Sequence, residues 1–255
     1  LFTGAFGSFY SLTETLLQAT PLMLCALGVT MALKMSVTNL GAEGQYMMGA
    51  FGATSVALFC PFLPESLVLP CIVLAGFLAG ALWGIIVILP KVLWEVNETI
   101  LTLMFNYVAL LWVDFWVYGA WRDSAGSNLP YSPLFPEHAM LTTLGNTRVH
   151  IGLLFAVVAG ILIFLFYRHT SRGYQMQVIG ANQQAARYAG MNIRTSILLA
   201  MLFSGGLAGL AGVAQTSGAV GRLQPNISNG AGYTAIAIAW LSRLNPLVVM
   251  IVSVL

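Results

Sequence analysis

Three stretches of the chain, residues 66–90, 195–221 and 223–242, contain no Asp, Glu, Lys or Arg. An apolar run of about 20 residues, rising 1.5 Å per residue as a helix, crosses a ~30 Å hydrocarbon layer. Within that layer each backbone N–H and C=O must be satisfied by the protein itself, so the fold is confined to packed membrane helices. Composition agrees: charged residues make up 7% of the chain, against about 25% in a soluble domain, and mean hydropathy is +0.86. A soluble enzyme or binding module is thereby excluded.

Apolar runs between polar punctuation predict helices at 15–37, 45–60, 67–90, 99–121, 149–167 and 195–216. An irregular passage, an apolar stretch near 230–241 and the start of a further span at 246 follow. The basic residues orient them, because Lys and Arg are retained on the cytoplasmic side. With residues 168–194 inside, the inner flanks hold Lys34, Lys91, Arg168, Arg172, Arg187, Arg194 and Arg243, and the outer flanks hold Arg122, Arg148 and Arg222. The start of the sequence does not read as a signal peptide; it reads as a point after a first span, and Leu255 falls inside another apolar run. Residues 1–255 are therefore expected to form a single transmembrane domain lacking an N-terminal span and its C-terminal end. Cys25, Cys60 and Cys71 show neither a paired framework nor metal-ligand spacing. Gly76, Gly80 and Gly84 share one helical face, as do Gly205 and Gly209, and such stripes pack helix on helix.

The pattern breaks in a few places, and broken spans often mark transport paths. In Asn39-Leu40-Gly41-Ala42-Glu43-Gly44-Gln45, Glu43 is expected either to cap the helix starting near Gly44 at the cytoplasmic surface or to pin a translocation path. The span before it is expected to be interrupted at Pro21 and Gly28. Asp114 lies in an apolar run close to its outer end, where a Trp and Tyr belt makes an interfacial position the competing reading. Phe105, Asn106 and Tyr107 stand deeper: an aromatic beside an amide suits a planar ligand, although Asn106 serves equally to join two helices. Residues 217–233 are too polar and glycine-rich for a lipid-facing helix, and 234–241 is too short to cross unaided. A short or re-entrant helix is expected there, with Asn229 and Tyr233 as path candidates.

Four of the ten basic residues, Arg168, Arg172, Arg187 and Arg194, fall in one window without a carboxylate. Within it Asn182 is a natural N-cap and Gly190 a natural stop for a short helix. Ala185 and Ala189 give that helix a smooth face for a partner, and an interfacial helix meeting anionic lipid is the alternative.

Gly180-Ala181-Asn182, Ala185-Ala186-Arg187 and Gly190-Met191-Asn192, followed by Phe203-Ser204-Gly205-Gly206-Leu207-Ala208-Gly209, resemble the coupling region and next helix of permeases in bacterial binding-protein-dependent ABC importers. Residues 39–45, 96–107, 232–237 and 244–247 resemble that family's nucleoside-import branch, while Trp94-Glu95 departs from it, where relatives tend to have a smaller, glycine-containing turn. The resemblance implies an all-α, polytopic membrane bundle with broken or re-entrant helices in the bacterial cytoplasmic membrane. It implies a second identical or similar permease, two cytoplasmic ABC ATPase domains and an extracytoplasmic substrate-binding protein; no nucleic-acid partner is expected. The chain holds no GxxxxGK[ST] loop and no HExxH motif, so ATP and Mg²⁺ are expected on the ATPases, with no cofactor or catalytic site here. The coupling surface implied is Asn182, Ala185, Ala186, Arg187 and Gly190, with Glu98 a secondary contact; the path residues are Glu43, Phe105, Asn106, Tyr107, Asn229 and Tyr233. A sugar, a riboflavin-like molecule or another small solute is the rival cargo. An ion-coupled transporter or channel is the rival class, for which only Asp114 and Glu43 offer an internal charge, and a membrane scaffold is a third.

Overall fold

The computed structural model describes residues 6–123, 129–145 and 147–255. Among these the helices are α1 (Phe9–Leu33), α2 (Ala42–Phe59), α3 (Glu65–Trp94), α4 (Glu98–Tyr118), α5 (Gly152–His169), α6 (Ser171–Ala181), α7 (Gln183–Tyr188), α8 (Ile193–Val213), α9 (Ala231–Leu241) and α10 (Pro246–Val252). The only β pairing among them is a single bridge between Thr143 and His150. Five helices are long and apolar enough to cross a membrane: α1, α3, α4, α5, and α8 with its extension to Val220.

Short polar side chains start several of the helices. The side chains of Asn97, Thr170, Asn182, Asn192 and Asn245 each accept a backbone N–H from the first turn of α4, α6, α7, α8 and α10, satisfying donors that a helix N-terminus leaves free. Thr170 and Asn182 thus turn the arginine-rich window into two helices, α6 and α7, of which the sequence had suggested only the second. The first span also departs from expectation, since α1 runs unbroken through Pro21 and Gly28.

At the centre, α8 packs against α1, α2 and α3. The contact is backbone on backbone: a Cβ on Gly80 would lie 2.3 Å from the Gly205 carbonyl oxygen, and one on Gly49 would lie 2.2 Å from Gly209 Cα. The opposite face of α3 carries Leu74, Leu78, Leu82 and Ile86, all exposed. Small residues inward and large apolar residues outward are the arrangement of a helix facing lipid.

Beyond α8 the helix widens into a π-helical stretch, Ala214–Val220, and then unwinds. Residues 217–223 pair with the outer segment: Leu141 N donates to Ser217 O, Phe135 N to Gly221 O and Ser132 N to Leu223 O. From there the chain descends without a helix through Asn226, Asn229 and Gly230, all at positive φ, before α9 begins. The stretch from Gly221 to Leu241 is therefore half unwound and half helical, and α9 is the short apolar helix expected there.

Candidate functional site: a junction of two broken spans

The N-terminus of α9 has no side-chain cap of its own, because Gly230 stands at the N-cap. Glu43 supplies it from another helix. Its Oε2 accepts the Gly232 N–H at 2.7 Å, and its Oε1 accepts the Ser228 hydroxyl. Glu43 is 2% exposed, so water does not share these bonds. A carboxylate at the positive end of a helix is electrostatically favoured, but here the helix capped is α9, whereas the sequence had suggested the start of α2. Gly232 is obligatory, since a Cβ there would fall 2.3 Å from Glu43 N.

Asn106 of α4 locks the same junction. Its Oδ1 accepts from Gly44 N at 2.9 Å, and its Nδ2 donates to Leu40 O at 2.7 Å and to Tyr233 OH at 3.1 Å. Asn39 binds the other side, donating to Gln45 Oε1 and Ser204 Oγ, each at 3.0 Å. The entry to α2 is thus held by the buried Asn106 amide from α4 and by the Asn39–Ser204 bond to α8. Of the two sequence readings of Asn106, the structure shows the helix-joining one. Phe105 packs edge-on against Trp83, with ring centroids 5.8 Å apart, and Tyr107 projects from the outer face of α4. Neither joins Glu43, Asn106 and Tyr233. Asp114 is half-buried one turn before α4 ends at Tyr118 and takes no part in the junction.

Above the Glu43 cap lies a cavity of about 180 Å³ lined by Gln18, Tyr46, Gln215, Ser228, Asn229 and Thr234, with Pro21, Leu22, Ile227 and Ala231. Its polar groups are amides and hydroxyls, none of them charged, so it offers paired donors and acceptors to a neutral solute. Asn229 was expected here; Gln18, Tyr46, Gln215 and Thr234 were not. The signal for the two glutamines was available, since each is an amide inside an otherwise apolar run.

In the arginine-rich window, Asn182 Oδ1 accepts from Ala185 N at 3.0 Å to start α7, and Gly190 follows its end at φ +71°. Ala185, Arg187, Tyr188 and Ala189 are exposed, Tyr188 at 94%. Ala186 is not: it is fully buried, because a six-residue helix lying on the bundle turns one side inward, and so it cannot belong to a docking surface. Beside α7 runs a groove of about 630 Å³ that includes Lys91, Glu95, Arg187 and Arg194. Lys91 pairs with Glu98 at 2.8 Å, which places Glu98 next to this groove. Glu95 ends α3 at φ +58°, the left-handed position at which a glycine is ordinarily favoured. Behind α7, Ser36 Oγ donates to Gly180 O at 2.8 Å, and a Cβ on Gly180 would meet Lys34 O at 1.9 Å. The α6–α7 segment is therefore seated directly on the turn leading to Asn39 and Glu43.

Residues 11–255 match the family model of the branched-chain amino acid transport system permease component, and the chain belongs to this family of membrane permeases. Among curated relatives, it is 36% identical over 254 residues to the glucose ABC transporter permease TsgB13 of Haloferax volcanii, covering 95% of this chain and 66% of that protein. It is 31% identical over 252 residues to the guanosine ABC transporter permease NupP of Bacillus subtilis, covering 94% and 70%. It is 29% identical over 267 residues to the nucleoside ABC transporter permease NupB of Lactococcus lactis, covering 100% and 72%. The chain thus spans just under two thirds of the length of the first of these relatives and somewhat more of the other two. A solved structure of an inward-facing transporter assigned to the metal-chelate ABC type shares the fold, with TM-score 0.54 and 16% identity, over 96% of this chain and 74% of that one. The protein is a multi-pass, all-α membrane permease subunit.

Proposed function

We propose that this chain forms one wall of the translocation path of an ATP-driven importer for a neutral, hydroxyl-rich solute, with nucleosides as the cargo. The observation that carries the reading is the uncharged polar cavity at the break before α9, in a chain of this permease family. At about 180 Å³ it is smaller than ordinary ligand pockets of ~300–1,000 Å³, as befits one half of a path completed by a second permease. The named cargoes of two relatives, guanosine and nucleosides, support the nucleoside assignment. The glucose permease relative favours a second reading, a hexose. The cavity offers no buried charge to either.

Coupling follows from the seat of the α6–α7 segment. Cytoplasmic ABC ATPases docking on Ala185, Arg187, Tyr188 and Ala189, with the Lys91–Glu98 pair alongside, would push α7 toward Lys34 and Ser36. The extended residues 37–41 would carry that displacement to Asn39 and Glu43, and so to the start of α9. An extracytoplasmic binding protein would deliver cargo on the side of residues 129–145. The test is uptake into sealed vesicles by the full-length permease with its ATPases and binding protein. ATP-dependent uptake of labelled guanosine, competed by other nucleosides and not by glucose, is expected. Competition by glucose alone would transfer the assignment to a hexose, and uptake driven by an ion gradient without ATPases would overturn the importer reading.

A further inference from the structure

A second basic pocket, remote from the path, lies where α1, α5 and the α9–α10 turn meet at the cytoplasmic side. It has a volume of about 420 Å³, and its lining includes Lys34, Tyr167, Arg168, Gln177, Arg243 and Asn245. The three cations come from three separate elements: the C-cap of α1, the last turn of α5 and the turn after α9. No carboxylate lines the pocket, and the ion pairs found among the described residues, Lys91–Glu98 and Arg148–Glu14, lie elsewhere. Lys34 Nζ instead stands 4.3 Å from the centroid of the Tyr167 ring, and Arg168 Cζ 5.9 Å from that of Phe164.

We propose that this pocket binds the phosphate of an anionic phospholipid headgroup. Three cations around one cavity with no carboxylate give it a positive potential that draws an anion. Burial alone pushes the Lys34 ammonium below its ordinary range, a penalty that a bound anion would offset. Of the other polar groups, Gln177 Nε2 donates to Tyr167 O at 2.9 Å, the Tyr167 hydroxyl donates to Met31 O, and Asn245 Oδ1 accepts from Leu247 N at 3.1 Å, which leaves Asn245 Nδ2 as one further donor beside the cations. The groups left to recognise a ligand are thus three cations and an amide donor, a set that suits an anion. Its source follows from the pocket's position at the membrane edge. The adjoining surfaces of α5 and α10 expose Leu162, Leu165 and Ile251, giving acyl chains an apolar track directly beneath the headgroup. Basic pockets at the cytoplasmic ends of membrane helices are recognised lipid-headgroup sites.

The test is native mass spectrometry of the full-length permease in its transport complex, extracted from nanodiscs of phosphatidylglycerol and phosphatidylcholine in equal parts. Phosphatidylglycerol should be retained in preference by about tenfold or more, and Lys34→Gln with Arg243→Gln should weaken retention by about fivefold per cation. Arg243→Lys, which keeps the charge, should retain the lipid within about twofold of the native level and shows that the pocket still folds. Equal retention of the two lipids, or retention unchanged in the double variant, would overturn the proposal. So would displacement by equimolar inorganic phosphate, which would make the site one for a free anion, or lipid held by the permease alone but absent from the complex, which would make it a protein contact.

Discussion

Replacing Glu43 tests whether α2 and the unwound segment before α9 are joined as described. Glu43→Ala removes the acceptors of both the Gly232 N–H and the Ser228 hydroxyl. At 2% exposure water cannot replace them. A hydrogen bond contributes about 1 kcal/mol net, and a buried donor left unpaired costs about 1–3 kcal/mol. The Ser228 hydroxyl can rotate, but the Gly232 N–H is fixed by the helix, so the total loss is about 3–5 kcal/mol. Ser228→Ala removes one of the two bonds and leaves one oxygen of a buried carboxylate without its donor, a loss of about 2 kcal/mol. Glu43→Gln should cost least, at about 1–2 kcal/mol, since its amide oxygen still serves Gly232 while its NH2 can donate to the serine oxygen. In the double variant Ser228→Ala should cost almost nothing more, leaving a coupling of about 2 kcal/mol. Equilibrium unfolding in mixed micelles measures the four variants against the native protein. Additive losses, or a Ser228→Ala loss equal to that of Glu43→Ala, would refute the cross-helix cap.

Ala186→Glu should lower stability and yield of folded permease, because the side chain is fully buried; Tyr188→Ala should leave yield intact while lowering uptake per ATP hydrolysed, measured in vesicles. Gly80→Ala puts a methyl 2.3 Å from the Gly205 carbonyl oxygen and should destabilise by about 1–3 kcal/mol; Leu82→Ala on the exposed face of the same helix should cost well under that in the same unfolding assay. His150 is buried, its Nδ1 accepts from Gly152 N at 3.1 Å, and burial lowers its pKa from 6.5 to about 4. The unfolded chain then binds more protons between those values, so stability is full above pH 6.5 and is lost as pH falls toward 4, by about 3 kcal/mol in all. His150→Gln should flatten that slope in thermal unfolding between pH 4 and 7.

The spans were legible because length and hydropathy are local properties of the chain. So was the short helix at 183–188, whose Asn182 cap and Gly190 stop are written within a few residues. The helix before it was missed because its cap, Thr170, follows directly on the end of α5 and leaves no loop to see. Glu43 was recognised as a capping group, but the helix it caps lies 189 residues further on, a pairing that no local pattern carries. Ala186 was misplaced for a similar reason: a six-residue helix has no periodicity long enough to say which side turns inward. Phe105 and Tyr107 were grouped with Asn106 by adjacency, yet neighbours on a helix point about 100° apart, and only Asn106 reaches the junction.

Thiol accessibility tests the central claim, that the uncharged cavity before α9 faces the cargo path. In the transport complex with Cys25, Cys60 and Cys71 replaced by Ala, Thr234→Cys should react with a charged methanethiosulfonate reagent in sealed vesicles. Saturating cargo should slow the reaction, and ATP should change its rate. Tyr107→Cys, on the outer face of α4, should be indifferent to cargo. A Thr234→Cys that is inert or insensitive to cargo, with a Tyr107→Cys that cargo protects, would contradict the account.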